Sequence, residues 1–411
     1  MILKQFLIIT TCALFLFACG GSGSDTESNS EIQTPPITTT LPTVDVYSLT
    51  NTEDLLTEIS SQLQGLSIDD FFAQAFLLTS QRNTEAMISD GFFDGLDSST
   101  VQLNNIADNY SIQSSAIYSV ILEQLQTYDH ASLTKSQQIS YDVYEADLEA
   151  KIEWIKYIDY EYPATYGFFG WPGSTETFFT QAFTFSDKSQ AEIYLALLNQ
   201  IGRRFTQIGE LLEARKAKGI IEPAITLDYS LGAVETMANK AATSTSYYQS
   251  FEQQISALSN ISETDKTTLR ETLILIVEQR VLPAYKTLAQ QITTLVKEAP
   301  QNIGFGQFEG GKDFYDFTLR FFTSSELTSD QVHNLGLEEL ARIHAEMRTL
   351  FDQLGYPQNE SLSSLYSRVD NDAGIILANQ IQATYENLIA QAYTELPSLF
   401  EVLPQQEVIV V

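Results

Sequence analysis

Cysteine is nearly missing from this 411-residue chain: Cys12 and Cys19 are the only two, and both lie at the extreme N-terminus. The folded body therefore offers no disulfide, no thiolate metal site and no cysteine nucleophile. Histidine is almost as scarce, with His130, His333 and His344 making the full set. A thermolysin-like zinc site needs two histidines four apart on one helix face with a glutamate beside them, and no such pair occurs. His333 and His344 are eleven positions apart. On one helix that separates them by about 16 Å, too far to share an ion. Basic residues are also few, 22 against 53 acidic ones, for a formal charge of −31. That balance excludes nucleic acid as a partner, because a phosphate backbone is held by Lys and Arg. It also argues against general adhesion to anionic lipid headgroups. Strand-like alternation is almost absent, the best candidate being Val408 to Val411.

What is present begins with an address. Lys4 supplies a short positive region, and Phe6 to Ala18 is apolar apart from Thr10, Thr11 and Cys12. The run is too short to span a bilayer as a helix but fits the core of a signal peptide. It ends Leu16-Phe17-Ala18-Cys19-Gly20. Small residues around a cysteine at that place resemble a bacterial lipobox. The resemblance implies removal of residues 1–18 and lipidation of Cys19. Gly20, rather than aspartate, after the cysteine implies passage to the outer membrane with the body facing the periplasm. An ordinary secretory signal with a coincidental cysteine is the other reading. Residues 19–50 read as a flexible tether: Gly20-Gly21-Ser22-Gly23-Ser24, then a polar, Thr-rich, Pro-punctuated stretch.

From residue 51 onward the pattern is helix after helix, an all-α body running to about 400. Asn51, Ser67, Thr134 and Ser262 stand where helix N-caps belong, Thr134 with Gln137 at capping-box spacing. Segments near 101–126, 134–155, 189–218 and 262–297 read as long helices. Gly219 closes the third, and Pro283 kinks or breaks the fourth. Val332, Leu335, Leu340, Ile343, Met347, Leu350 and Leu354 recur at mostly helical steps before Gly355. Loops are expected near 161–175 and 301–313.

Several groups resemble chemistry, each with a plainer account. Ser132 and Lys135 have the serine–lysine spacing of penicillin-recognising enzymes, but the companion Lys-Thr-Gly is missing. Glu145, Glu149 and Glu153 form a stripe that is either a cation site or a solvated acidic face. Trp154, Phe168, Phe169 and Trp171 either line a cleft or pack in the core. Gly304-Phe305-Gly306 with Gly310-Gly311 does not follow a strand and reads as a sharp loop rather than a phosphate cradle.

The segment Gly310-Gly311-Lys312-Asp313-Phe314-Tyr315, followed by Leu319-Arg320-Phe321-Phe322-Thr323-Ser324, Glu326-Leu327-Thr328 and His333-Asn334-Leu335-Gly336-Leu337-Glu338-Glu339, carries a family resemblance. It resembles the bacterial domain of unknown function 885 (DUF885), from about Asp69 to Val411. Weaker echoes are Gly219-Ile220-x-x-Pro223 and Pro283-Ala284-Tyr285. Ser324 departs mildly from the family's threonine pair. The resemblance implies zinc-dependent peptidases of the gluzincin type, with ligands in a C-terminal portion beyond this chain. No catalytic or metal residue carries over to these positions, and zinc and a peptide substrate are expected only in a full-length relative. The expectation is thus a partial helical domain over 51–411, held to the membrane through Cys19. The alternative is a non-catalytic periplasmic lipoprotein that binds a ligand or a protein partner.

Overall fold

A computed structural model describes residues 45–49, 51–165, 170–400, 403, 408 and 410. The signal peptide, Cys19, the glycine-rich part of the tether and the aromatic residues Phe168 and Phe169 lie outside them. So does most of the apolar run at 407–411. Among the described residues the regular structure is entirely helical. Two compact units divide the chain after Phe322.

In the first unit, α1 (Thr52–Leu63), α2 (Ile68–Ser80), α3 (Thr84–Ser89), α4 (Asp108–Leu125) and α5 (Lys135–Trp154) come first. Their starts are fixed by side chains that satisfy free backbone N–H groups. Asn51 accepts from Glu53 N at 3.1 Å, and Ser67 from Asp70 N at 3.3 Å. The Thr134–Gln137 capping box closes in both directions, at 3.0 and 3.4 Å. Helices α1, α2, α4 and α5 share a core containing Leu63, Phe71, Ile121 and Leu148, each 1% exposed or less.

A larger core is built by α6 (Trp171–Thr177), α7 (Lys188–Leu198), α8 (Ile201–Ala217), α9 (Ala224–Ala238), α10 (Ser246–Ala257), α11 (Glu263–Ile276) and α12 (Leu282–Val296). Phe183, Tyr194, Leu197, Phe251, Val277 and Ile292 are buried within it. Two stretches read from sequence as single regular helices depart from that reading. The 189–218 stretch breaks at Asn199–Gln200, where Gln200 turns its amide toward residues 101–103. The 262–297 stretch stays helical but widens through one π-type turn, Val277–Val281, directly before Pro283 at the start of α12. Gly219 ends α8 in the left-handed region, φ +76°, and Ile220 N reaches back to Arg215 O at 3.0 Å.

Gly310 (φ +73°) and Gly311 make the entry to α13 (Gly311–Thr323). A methyl group at 311 would overlap the Phe305 carbonyl oxygen. Gly311→Ala should therefore displace this loop and lower stability by about 2–3 kcal/mol. The midpoint of urea unfolding followed by circular dichroism checks this. An unchanged midpoint would show that the close approach is not needed.

The second unit contains α14 (Ser329–Gln353), α15 (Leu362–Asp372) and α16 (Ile381–Leu399). Thr328 and Gln331 form another capping box, and Gly355 (φ +82°) follows α14. Among the described residues of this unit, Phe351 and Leu365 are the buried hydrophobic ones. Val408 and Val410, the described part of the expected strand, belong to no regular element.

Candidate functional site

Helix α8 has two unusual faces. On the first, positions 200, 204, 207, 211 and 215 recur at helical spacing, with Gln200 immediately preceding the helix. Four of the five are polar, yet Arg204, Gln207 and Arg215 are 1%, 8% and 3% exposed. They face the segment 101–108, which takes no regular structure as far as residue 107 rather than forming the helix that its apolar content predicts. Gln200 donates to Val101 O at 2.8 Å and accepts from Leu103 N at 3.2 Å. Arg204 donates to Asn104 O at 3.0 Å and to Thr175 Oγ1 at 3.4 Å, and it pairs with Glu85. Glu85 in turn accepts from Asn104 N at 2.9 Å. The Arg204 guanidinium also lies 5.4 Å from the centre of the Trp171 ring. Gln207 donates to Asn105 Oδ1 at 2.6 Å, and Asn105 donates to Val46 O at 2.9 Å.

Arg215 ends the seam with a two-pronged contact to Asp108, at 2.5 and 2.7 Å, and a bond to Ile158 O at 3.0 Å. Burial opposes its charge, but the hydrogen bonds and charge of Asp108, with Asp159 and Glu161 nearby, hold the guanidinium above its ordinary range. The seam thus supplies backbone partners to a buried non-helical segment. Through Asn105 it also holds Asp45–Leu49, which sequence reading had given to the tether.

The second face of α8 lines an open groove against α12 and the turn before it, with a volume of about 650 Å³. Gly202, Phe205, Pro283 and Ala284 give it small and apolar surfaces, while Glu210, Glu213, Gln279 and Arg280 give it polar ones. The lack of a side chain on Gly209 leaves room for the Gln291 amide. Its size suits a small ligand or a few residues of peptide.

The other candidates resolve toward their plainer accounts. Ser132 Oγ donates to Asp129 O at 2.7 Å. Glu145 accepts from Gln126 at 3.1 Å, and Glu153 pairs with Arg320 at 3.0 Å. Trp154 packs on Phe314 and Phe317, its Nε1 donating to Glu161 at 2.5 Å. Trp171 packs against the large core. His130 pairs with Asp142 at 2.8 Å, and His333 and His344 are both exposed on α14. Among the described residues no three His, Cys, Asp or Glu side chains are grouped to hold a metal. Sequence reading missed the seam altogether. Its one trace was the recurrence of Gln200, Arg204, Gln207 and Arg215 on a face that also carries Leu211.

Helices layered without a sheet define an all-α protein, and none among the described residues is long and apolar enough to cross a membrane. The chain belongs to the family of bacterial proteins of unknown function DUF885, whose pattern matches residues 91–411. No curated protein matches it significantly. Among solved structures it is similar to one described as "the putative lipoprotein from Colwellia psychrerythraea", with a TM-score of 0.68 at 16% identity. The match covers 87% of this chain and 59% of that one. The likeness is one of fold, and this chain spans 59% of that structure's length.

Proposed function

We propose that this chain is the helical portion of a lipid-anchored envelope metallopeptidase, with its metal ligands supplied by polypeptide outside these 411 residues. The observation that carries this reading is the surface of the second unit. Leu335, Leu337, Leu340 and Leu350 on α14 are 47–58% exposed, as are Ile381, Tyr385 and Leu388 on α16, at 46–57%. Ile375 between these helices is 89% exposed. An apolar surface of this extent is normally covered by further protein. The family match and the 59% span of the related structure support the same reading. Purified as it stands, the chain should neither retain stoichiometric zinc after dialysis nor hydrolyse peptides. A longer form carrying the relatives' C-terminal portion should do both. Chelator-sensitive peptidase activity from the 411-residue chain would refute the assignment.

Anchoring rests on Cys19, which would be the only cysteine left after processing. Cys19→Ser should abolish lipidation and move the protein from the membrane to the soluble fraction. Retention of the variant on membranes after a carbonate wash would remove the lipobox from the account. The groove beside α8 favours a second reading, a non-catalytic lipoprotein that binds a small ligand. The reading frame separates the two: continuation into a His-Glu-containing motif supports the peptidase, and a natural stop supports the binding protein.

A further inference from the structure

Helices α8 and α12 wall the open groove in a definite register. The Phe205 and Tyr285 rings lie 4.6 Å apart, and the Gln291 amide rests where a side chain at Gly209 would stand. The paired levels, 205 with 285 and 209 with 291, rise together, so the two walls run in the same direction. Arg280 precedes Tyr285 by little more than one turn and therefore sits at the Gly202 end of the groove. Glu210 and Glu213 sit at the other end, past Gly209. At 1.5 Å of rise per residue they lie about 12 and 16 Å along α8 from Gly202.

The groove thus carries opposite charges at its two ends. Arg280, Glu210 and Glu213 are all exposed, and among the described residues none of the three makes an ion pair. The neighbouring cations on α8 are engaged elsewhere. Arg203 stacks over the Tyr47 ring at 4.2 Å, and Lys216 pairs with Glu298 at 2.7 Å, with Glu213 acting on it from further off. Between the charged ends the walls are apolar or small, from Phe205, Pro283 and Ala284. The Thr206 and Thr287 hydroxyls give their protons to Gly202 O at 2.9 Å and Pro283 O at 3.1 Å, so toward the groove they can only accept. Such acceptors suit a ligand that brings N–H donors of its own.

A polyamine would match the two glutamates but not Arg280, and a dicarboxylate the reverse. A free amino acid carries both charges but is too short to reach both ends. An extended peptide spans about 3.3–3.6 Å per residue, so about four residues cover the length between the charges.

We propose that the groove between α8 and α12 binds a short peptide of about four residues with both termini free. Its amino group meets Glu210 and Glu213, and its carboxylate meets Arg280. The proposal rests on the binding-protein reading of this groove and adds the class of its ligand.

Isothermal titration calorimetry of the purified chain with tetra-alanine tests this, alongside the N-acetylated, C-amidated and doubly blocked forms of the same peptide. Tetra-alanine should bind, and blocking either terminus should weaken binding about tenfold or more, the usual effect of losing a hydrogen-bonded contact between charged groups. Arg280→Gln should abolish the difference between the free acid and the amide while keeping the penalty for acetylation. The double variant Glu210→Gln, Glu213→Gln should do the converse. Equal binding of the free and doubly blocked peptides would overturn the proposal while leaving the groove a binding site. No binding of any form at millimolar concentration would overturn the binding reading with it. Unchanged terminal preferences in both variants would place the peptide outside the groove and equally refute the assignment.

Discussion

Replacing Arg204 with methionine should lower the stability of the first unit by about 3–5 kcal/mol, the usual cost of removing one partner from a buried ion pair. The side chain of Arg204 is fully buried, and its partners are fixed by the fold. Methionine fills much of the space but leaves the largely buried Glu85 carboxylate without its charge partner, and it strips a donor from the Asn104 carbonyl. The loss should extend beyond the pair, because Glu85 and Asn104 also hold each other. Arg204→Lys should recover little. A single ammonium cannot reach Glu85, Asn104 O and Thr175 from the directions that the planar guanidinium spans. Urea unfolding followed by circular dichroism measures both variants. A wild-type midpoint for Arg204→Met would show that the seam is not a stabilising feature.

Glu222→Gln should have the opposite sign. Burial pushes the Glu222 carboxyl up to about 7 from its ordinary 4.5, with Thr165 and Thr226 only partly offsetting this. A carboxyl raised in the folded state favours folding most at low pH, where both states are protonated. As pH climbs from 4.5 toward 7, the unfolded chain ionises freely while the folded one resists, and stability is lost. The separation corresponds to about 3 kcal/mol at its fullest, reached above pH 7. The glutamine variant avoids this loss. It should therefore be more stable than the wild type by up to about 3 kcal/mol at pH 8, with the difference shrinking steadily toward pH 5. A difference independent of pH would show that Glu222 ionises as readily in the fold as in the unfolded chain.

Both variants concern residues that sequence reading passed over. Glu222 stands inside the Gly219-Ile220-x-x-Pro223 echo, where its residue type alone carries no sign of burial. Its burial is decided by how Tyr162 and α12 close over the α8–α9 corner, contacts made 60 or more positions away. The groove is similar. Gly202, Gly209 and Ala284 are unremarkable small residues until α8 and α12 lie side by side.

By itself the sequence determined the class of the fold and many of its joints. Helical periodicity, the caps at Asn51, Ser67, Thr134 and Ser262, the glycine at 219 and a departure from regular α geometry beside Pro283 all appear in the structure, because each rests on bonds made within a few residues. The family, too, was legible in motifs read along the chain, from Gly310 to Glu339. Tertiary structure alone decided the path of residues 101–107. Their apolar side chains suit a helix as well as they suit a buried irregular segment, and local propensity cannot choose between them. Gln200, Arg204 and Gln207 choose, by offering hydrogen bonds to Val101, Leu103, Asn104 and Asn105 from about a hundred residues away. A helix there would have left those buried donors and acceptors unpaired, a cost larger than the small helix preference of the segment.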